Sequence, residues 1–244
     1  IDFGEFAGAA ATDVVSERVA GLRSEFLGRT VILGVDRLDY SKGIPHKLAG
    51  FRLALERYPE LRERVTLVQL VVPSREDIPE YHQMRAEIER RVGQIQGEFT
   101  RSGWVPIHYQ FGRWDRVELI SHYRAAGIAL VTPLKDGMNL VAKEFVTCQD
   151  AGDEDGVLLL SEFTGAMLEF TSDAVSCNPF DVEGLSFLMQ ASLELAEDDR
   201  RARIRRMASR VRDHDVFRWV HEELALLEAG AARSSAARHG GSSV

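Results

Sequence analysis

The sequence predicts an α/β protein built on a doubly wound parallel sheet. Two observations carry this prediction: short apolar runs rich in β-branched residues recur along the chain, and segments with helical spacing of apolar residues separate them. This alternation is typical of a parallel sheet with helices on both faces. The chain has no internal repeat and no long linker. We therefore expect one folded domain over residues 1–228 and a disordered tail, rich in small polar residues, over 229–244.

The strands are expected where the apolar runs are short and continuous. These runs are 31–35, 65–72, 105–109, 128–132, 157–160 and 174–177. Helices are expected where apolar residues recur at spacings of three and four. These segments are 48–58, 78–99, 119–126, 140–148, 184–195, 198–212 and 215–228. The opening residues Ile1, Asp2 and Phe3 have the pattern of a strand end and its exit.

The composition excludes several classes of protein. The chain has 244 residues, a formal net charge of -8 and 45% hydrophobic residues, and none of its apolar runs approaches the roughly 18 residues of a membrane helix. The acidic balance argues against a protein that coats nucleic acid. Its two cysteines, Cys148 and Cys177, are too few for a disulfide scaffold or a cysteine-based zinc site. They fit a reducing cytoplasm, where we expect the protein to act.

Lysine is rare in this chain. Of the 30 basic residues, only Lys42, Lys47, Lys135 and Lys143 are lysines. Arginine presents a planar fork, whereas lysine presents a compact point charge. Genomic base composition accounts for the excess of arginine, and we interpret the few lysines that remain as positions that need a point charge. Three of them fall in the two motifs described next.

The first motif, residues 34–45, directly follows the first predicted strand. It contains Arg37 and Lys42 in a loop at the carboxyl end of that strand, just before a helix. Two cations there suit a diphosphate, and Gly43 allows close approach of the backbone. The alternative is a loop in which Arg37 forms a salt bridge with Asp36 or Asp39.

A second basic residue, Arg75, follows the second predicted strand. It lies before a helix, like the first motif, and could bind another phosphate. The alternative is a surface arginine that pairs with Glu76 or Asp77.

The second motif, residues 132–145, follows the fourth predicted strand. A turn at Asp136 and Gly137 leads into a helix, whose first backbone N–H groups and dipole favour an anion. Glu144 lies farther along this helix, where a carboxylate can accept hydrogen bonds from vicinal hydroxyls such as those of ribose. The alternatives are a simple cap at Asp136 and a solvated Glu144 beside Lys143.

Other chemistries lack their sequence patterns. The chain has no G-x-G-x-x-G fingerprint, no Walker A loop, no H-E-x-x-H helix and no G-x-S-x-G elbow. We therefore expect no bound metal and no cofactor.

The two motifs together closely resemble the trehalose-6-phosphate synthases. These are retaining glycosyltransferases of the GT-B architecture, with two facing Rossmann-like domains. The likeness runs over residues 1–227 and includes segments 73–75 and 159–166. It matches the carboxyl-terminal, nucleotide-sugar half of the family. The resemblance therefore implies an amino-terminal acceptor domain, in the same gene product or as a separate chain.

The resemblance implies a reaction and a donor site. The family transfers glucose from UDP-glucose to glucose 6-phosphate with retention, which gives trehalose 6-phosphate and UDP. By the resemblance, Arg37 and Lys42 hold the donor diphosphate and stabilise the leaving UDP. The backbone N–H groups of Leu140 and Val141 contact the diphosphate, and Glu144 holds the ribose.

The resemblance also assigns groups to the two sugars. Asp136 and the three backbone N–H groups after it hold the glucosyl hydroxyls, so that Arg37, Lys42 and Asp136 form the catalytic set. Arg75 reaches the acceptor phosphate, and Trp114 contacts the donor near the uridine. The three residues that follow Asp136 are Gly137, Met138 and Asn139.

The residues leave several points open. A related glucosyltransferase could use another acceptor, such as glycerol 3-phosphate or an aminocyclitol. A non-catalytic UDP-sugar-binding subunit would keep the same donor motifs. The choice among UDP, GDP and ADP and the formation of a homo-oligomer are also open.

Overall fold

A six-stranded sheet forms the centre of the described structure, and all of its neighbouring strands run parallel. The computed structural model describes residues 1–75 and 77–239, with side chains as far as Leu227 in the last helix. The strands are β1 (Thr30–Arg37), β2 (Val65–Val72), β3 (Ile107–Phe111), β4 (Ile128–Val131), β5 (Val157–Ser161) and β6 (Val175–Cys177). Each overlaps a predicted run, and the α/β parallel-sheet prediction is confirmed.

Ten α-helices connect and cover these strands in the described part of the chain. They are α1 (Phe3–Ala10), α2 (Asp13–Glu25), α3 (Ile44–Arg57), α4 (Pro79–Phe99), α5 (Arg116–Ala125), α6 (Leu140–Ala151), α7 (Gly165–Phe170), α8 (Val182–Ser192), α9 (Glu197–Asp213) and α10 (Val216–His239). None of these is long and apolar enough to cross a membrane.

The amino-terminal residues correct one expectation. Ile1, Asp2 and Phe3 were expected to end a strand, but Phe3 begins α1. Asp2 is the N-cap of this helix, and its carboxylate accepts a hydrogen bond from the Glu5 N–H at 2.9 Å. A capping aspartate satisfies one of the free N–H groups of the first turn, which favours a helix start here.

Two hydrophobic clusters fill the spaces on either side of the sheet. Strand β1 contributes to both, with Leu33 on one face and Ile32 on the other. Helices α1, α2, α5, α6, α7 and α9 cover the Leu33 face, whereas α3, α4 and α8 cover the Ile32 face. Alternating strand residues therefore bury both faces, as a doubly wound sheet requires.

The carboxyl-terminal helix extends into the segment that was expected to be a disordered tail. The backbone of α10 is helical as far as His239. Alanine, the strongest helix former, recurs in this segment, which favours helix there. Residues 240–244 lie outside the described residues, and the domain division at residue 228 stays a prediction.

A buried ion pair lies beneath the carboxyl end of β1. The Lys47 ammonium contacts Asp36 Oδ2 at 2.5 Å, and the two side chains are 0% and 5% exposed. Gln69 donates a second hydrogen bond to the same oxygen at 2.9 Å. Since Gly34 has no Cβ, Gln69 fits against β1: a Cβ at Gly34 would lie 2.3 Å from Gln69 Oε1. This pair anchors α3 to the strand that carries the first motif.

Breaking the buried pair is expected to destabilise the fold strongly. Lys47→Met removes the ammonium and leaves the Asp36 charge buried, which costs about 3–5 kcal/mol in comparable cases. The matched control is Arg52→Met, because the Arg52–Glu98 pair is 44% and 43% exposed and such pairs contribute about 0–1 kcal/mol. Urea unfolding of both variants measures the difference. Equal free energies of unfolding for the two variants would contradict this assignment.

Candidate active site

The two motifs meet at the carboxyl edge of the sheet. The strand order β3-β2-β1-β4-β5-β6 places β1 beside β4, where the winding of the sheet changes direction. Ligands of such sheets bind in the crevice at this switch point. A cleft of about 470 Å³ opens there. It is lined by Val35, Asp36, Arg37, Lys42, Asp136, Met138, Asn139, Leu140 and Val141.

Arg37 was expected in the loop after the first strand, but it is the last residue of β1 and is exposed at the cleft. Asp39 caps a short 3₁₀ turn by accepting hydrogen bonds from the Ser41 N–H at 2.9 Å and its hydroxyl at 2.7 Å. Burial opposes ionisation of Asp39, but these hydrogen bonds and the charges of Arg37 and Lys42 lower its pKa overall. Asp36 pairs with Lys47, and no ion pair of Arg37 occurs among the side chains described in residues 1–75 and 77–227. The alternative of a salt-bridged Arg37 is therefore not observed.

Gly43 brings this loop against the loop after β4. Its φ of 65° lies in the left-handed region, and a Cβ there would lie 2.6 Å from the Thr132 carbonyl oxygen. The Leu134 N–H donates to the Ser41 carbonyl at 2.7 Å, which joins the two loops through their backbones. Only glycine combines this backbone conformation with so close an approach.

The Lys42–Asp136 ion pair connects the two motifs directly. Lys42 Nζ lies 2.6 Å from Asp136 Oδ2, and each side chain is 16% exposed. Asn139 Nδ2 donates to the same oxygen at 3.1 Å. Burial raises the pKa of Asp136, but the hydrogen bond and charge of Lys42 outweigh it and lower the pKa below its ordinary value. Asp136 is therefore ionised at neutral pH.

Backbone hydrogen bonds join the loop after β5 to the turn at Asp136. The Asp136 N–H donates to the Phe163 carbonyl at 3.1 Å, and the Gly165 N–H donates back to the Asp136 carbonyl at 3.1 Å. A Cβ at Gly165 would lie only 2.0 Å from the Gly137 carbonyl oxygen. The family resemblance includes residues 159–166 but assigns them no contact with a substrate. The glycine at 165 was the one local signal of such a close contact.

Helix α6 starts at the cleft with an unusual cap. Asn139 has φ 70° and ψ 87°, and its side-chain oxygen accepts from the Ala142 N–H at 3.1 Å. The N–H groups of Leu140 and Val141 belong to the first turn and have no acceptor inside the helix. Asn139 is thus the cap, not Asp136, and these N–H groups can meet an anion at the cleft.

Glu144 lies one helical turn beyond Leu140, on the same side of α6. Its Oε2 accepts a hydrogen bond from the Tyr123 hydroxyl at 2.9 Å. Burial raises the pKa of the Glu144 carboxyl, and the hydrogen bond from Tyr123 offsets only part of this rise. A half-buried carboxylate without an ion pair in the described residues is costly to the fold. Tyr123 is not among the predicted site residues, because in sequence a buried tyrosine cannot be distinguished from any other core aromatic residue.

Arg75 and Trp114 lie outside this cleft. Arg75, with φ 49°, donates to the Tyr81 hydroxyl at 3.1 Å after the end of β2. Its alternative partner Asp77 forms no ion pair within the described residues, and Glu76 lies outside them. Trp114 stacks on His122, with ring centroids 3.9 Å apart. Arg75 follows β2 and Trp114 follows β3, so both lie at the carboxyl edge of the sheet. Among the described residues, neither forms a hydrogen bond or ion pair with Lys42 or Asp136.

Three of the four lysines form ion pairs with carboxylates. Lys42 pairs with Asp136, Lys47 with Asp36, and Lys143 with Glu169 at 2.6 Å. The fourth, Lys135, is exposed in the loop after β4. In the described residues, three of the four lysines therefore form partly or fully buried ion pairs.

The fold and the site define a doubly wound α/β domain with a cleft, lined by Arg37 and Lys42, at the switch point of a Rossmann-like sheet. The profile of glycosyltransferase family 20 matches residues 1–229 of this chain. The chain therefore belongs to glycosyltransferase family 20, and the resemblance predicted from the two motifs is confirmed.

Curated relatives carry consistent names. The trehalose-6-phosphate synthase of Mycobacterium avium is 45% identical over 219 residues, which are 88% of this chain and 44% of that protein. The bifunctional trehalose-6-phosphate synthase/phosphatase of Thermoproteus tenax is 43% identical over 235 residues, 96% of this chain and 32% of that protein. The chain thus spans less than half the length of these relatives.

Solved structures agree with the fold. The UDP-forming α,α-trehalose-phosphate synthase of Burkholderia vietnamiensis has a TM-score of 0.90 at 36% identity, over 96% of this chain and 51% of that one. The Burkholderia xenovorans enzyme in complex with glucose-6-phosphate has a TM-score of 0.88 at 35% identity, over 93% and 50%. An E. coli structure bound with UDP-2-fluoro glucose has a TM-score of 0.87 at 34% identity, also over 93% and 50%.

The raised pKa of Glu144 predicts a stabilising substitution. Because the folded protein holds the Glu144 proton more tightly than the unfolded chain does, stability is lost as the pH rises from the ordinary pKa of 4.5 through the folded pKa. Glu144→Gln keeps an acceptor for Tyr123 and removes the charge. We expect the variant to be more stable than the parent at pH 7 and equally stable below pH 4.5, as measured by urea unfolding.

The control for this prediction is Glu118→Gln. The hydrogen bond from Arg18 outweighs burial and lowers the pKa of Glu118, so its charge stabilises the fold above its ordinary pKa of 4.5. Glu118→Gln should therefore lose stability at pH 7, opposite in sign to Glu144→Gln. Destabilisation of the Glu144→Gln variant at pH 7 would show that this carboxylate supports the fold.

Proposed function

We propose that this chain is the donor-binding half of a glucosyltransferase. The complete enzyme transfers glucose from UDP-glucose to glucose 6-phosphate with retention, which gives trehalose 6-phosphate and UDP. The observation that carries the proposal is the cleft in which Arg37, the Lys42–Asp136 pair and the first turn of α6 come together. The names of the relatives support glucose 6-phosphate over glycerol 3-phosphate as the acceptor.

The donor diphosphate would bind to the cations and N–H groups of the cleft. An ammonium has three donors, so Lys42 can keep its bond to Asp136 and still reach phosphate oxygens. The exposed Arg37 offers a planar fork to the same diphosphate. The first-turn N–H groups of Leu140 and Val141 add the dipole of α6.

The glucosyl hydroxyls would bind to the turn before α6. Asp136 is ionised and uses Oδ2 for Lys42 and Asn139, while Oδ1 has only a long contact of 3.4 Å with the Met138 N–H. Oδ1 is therefore available to accept from a sugar hydroxyl. The backbone N–H groups of Gly137, Met138 and Asn139 lie in the same turn and can donate to sugar oxygens.

The chemistry follows from where charge develops. As the glycosidic bond breaks, the sugar acquires oxocarbenium character and negative charge grows on the departing diphosphate. Arg37 and Lys42 stabilise that charge more strongly in the transition state than in the ground state, which is the condition for raising kcat. In the proposed same-face reaction, the acceptor hydroxyl attacks C1 and its proton passes to an oxygen of the leaving phosphate.

The acceptor would be held jointly with an amino-terminal domain. This chain carries the donor motifs and matches 32% and 44% of the length of the two relatives. The remaining length of such relatives leaves room for an acceptor domain. We propose that Arg75 supplies the acceptor phosphate with a charged contact, and that Trp114 lies near the uridine. We also propose a cytoplasmic location, which the two free cysteines, Cys148 and Cys177, support.

UDP binding tests the donor site. We expect this chain alone to bind UDP in a calorimetric titration and to release no UDP from UDP-glucose when glucose 6-phosphate is added. Arg37→Ala and Lys42→Ala should each weaken UDP binding about tenfold or more, because a charge-assisted hydrogen bond contributes about 1.5–3 kcal/mol. In an enzyme that also has the amino-terminal half, each should lower kcat by about 10²–10³.

The matched control is Lys135→Ala, since Lys135 is an exposed lysine in the loop that carries Asp136. It should leave UDP affinity within about twofold of the parent if binding depends on the cleft and not on net charge. The proposal fails if the parent shows no binding at millimolar UDP. Equal losses in the Lys135 and Lys42 variants would also count against it.

Arg75 should act on the acceptor alone. In an enzyme that joins this chain to its amino-terminal half, Arg75→Ala should raise the KM for glucose 6-phosphate about tenfold or more. The KM for UDP-glucose should stay near that of the parent. The control is Arg57→Ala, an exposed arginine on α3 that pairs with Glu183. A parallel rise in both KM values would identify Arg75 as a structural residue.

A further inference from the structure

A buried hydrogen bond fixes the carboxylate of Glu144, which lies one turn along α6 from Leu140 at the cleft. Tyr123 lies on α5 with 1% of its surface exposed, and its hydroxyl reaches across to Glu144 Oε2 on α6 at 2.9 Å. Helices α5 and α6 pack on each other, so the bond spans two rigid elements. The position of one carboxylate oxygen is thus set by the core and not by solvent.

The second oxygen of the same carboxylate is left free. Glu144 Oε1 has no hydrogen-bond partner among the described residues, and it is not one of their buried unpartnered polar atoms. It is therefore accessible from outside. A carboxylate that is held at one oxygen and open at the other is prepared to accept hydrogen bonds from a ligand.

We propose that Tyr123 is a positioning residue that makes the donor site selective for ribonucleotides over 2′-deoxyribonucleotides. The inference rests on the proposed donor site, in which Glu144 holds the vicinal hydroxyls of the ribose. With Oε2 tied to Tyr123, the carboxylate plane cannot rotate freely, and Oε1 meets the hydroxyls without a further loss of side-chain freedom. A 2′-deoxyribose would leave this desolvated carboxylate with one acceptor position unused.

The test compares UDP with 2′-deoxy-UDP in calorimetric titrations of the whole chain. The parent should prefer UDP by about tenfold or more, the effect of a hydrogen bond to a charged group. Tyr123→Phe removes only the hydroxyl. It should weaken UDP binding, change 2′-deoxy-UDP binding little, and reduce the preference to about threefold or less, because the carboxylate must then be ordered on binding.

The matched control is Tyr109→Phe. The Tyr109 hydroxyl is also buried but has no hydrogen-bond partner in the described residues, so its removal should leave the UDP preference unchanged. A second measurement places Tyr123→Phe in a Glu144→Ala background. There it should have no further effect on the preference, because the two residues act as one unit.

The outcomes separate this inference from the function on which it rests. A parent chain that does not bind UDP contradicts the proposed function and this inference with it. A parent that binds UDP and 2′-deoxy-UDP equally contradicts only the roles of Glu144 and Tyr123. Equal weakening of both nucleotides by Tyr123→Phe, with a lower melting temperature, would show that Tyr123 is a structural residue and overturn the inference.

Discussion

The Lys42–Asp136 ion pair is the contact on which the site depends, because it joins the two loops that a parallel sheet brings to its switch point. The loops belong to β1 and β4, which are neighbours in space although two other strands lie between them in sequence. The pair keeps 16% of each side chain exposed, and solvent screening limits what such a pair adds to stability. Its ammonium also has donors to spare. The pair is thus better suited to hold a shared anion than to hold the fold.

The Lys47–Asp36 pair, by contrast, mainly holds the fold. The two side chains are 0% and 5% exposed, and Lys47 and Gln69 both donate to Asp36 Oδ2. Because Asp36 directly precedes Arg37, the buried pair fixes the strand end from which Arg37 projects. Two features that cost folding free energy lie on α6 instead. They are the left-handed backbone of Asn139 at the start of the helix and the half-buried charge of Glu144. Such costs collect where a ligand can offset them.

The sequence predicts the sheet better than it predicts the site. Strands such as β2 are continuous apolar runs, which a parallel sheet buried on both faces requires. Helix α2 was missed because its few apolar residues lie among charged ones and it contacts the core through a narrow stripe. The motifs predicted Arg37 and Lys42 at the edge where loops after parallel strands meet, and the family resemblance added Asp136 to this group. No local pattern could show that Tyr123, far from Glu144 in sequence, would hold that carboxylate.

The sheet edge also brings together the two residues proposed to bind the donor and acceptor phosphates. Arg37 ends β1 and is in register with Val72, which ends β2, and Arg75 follows only a short loop later. Neighbouring parallel strands are about 4.8 Å apart. The strand pairing therefore brings the proposed donor diphosphate site and the proposed acceptor phosphate site to the same edge of the sheet. Transfer between two sugars requires this kind of alignment, since a misplacement of about 1 Å can cost 10²-fold in rate. In the proposed enzyme, the amino-terminal half would then enclose the acceptor at this edge.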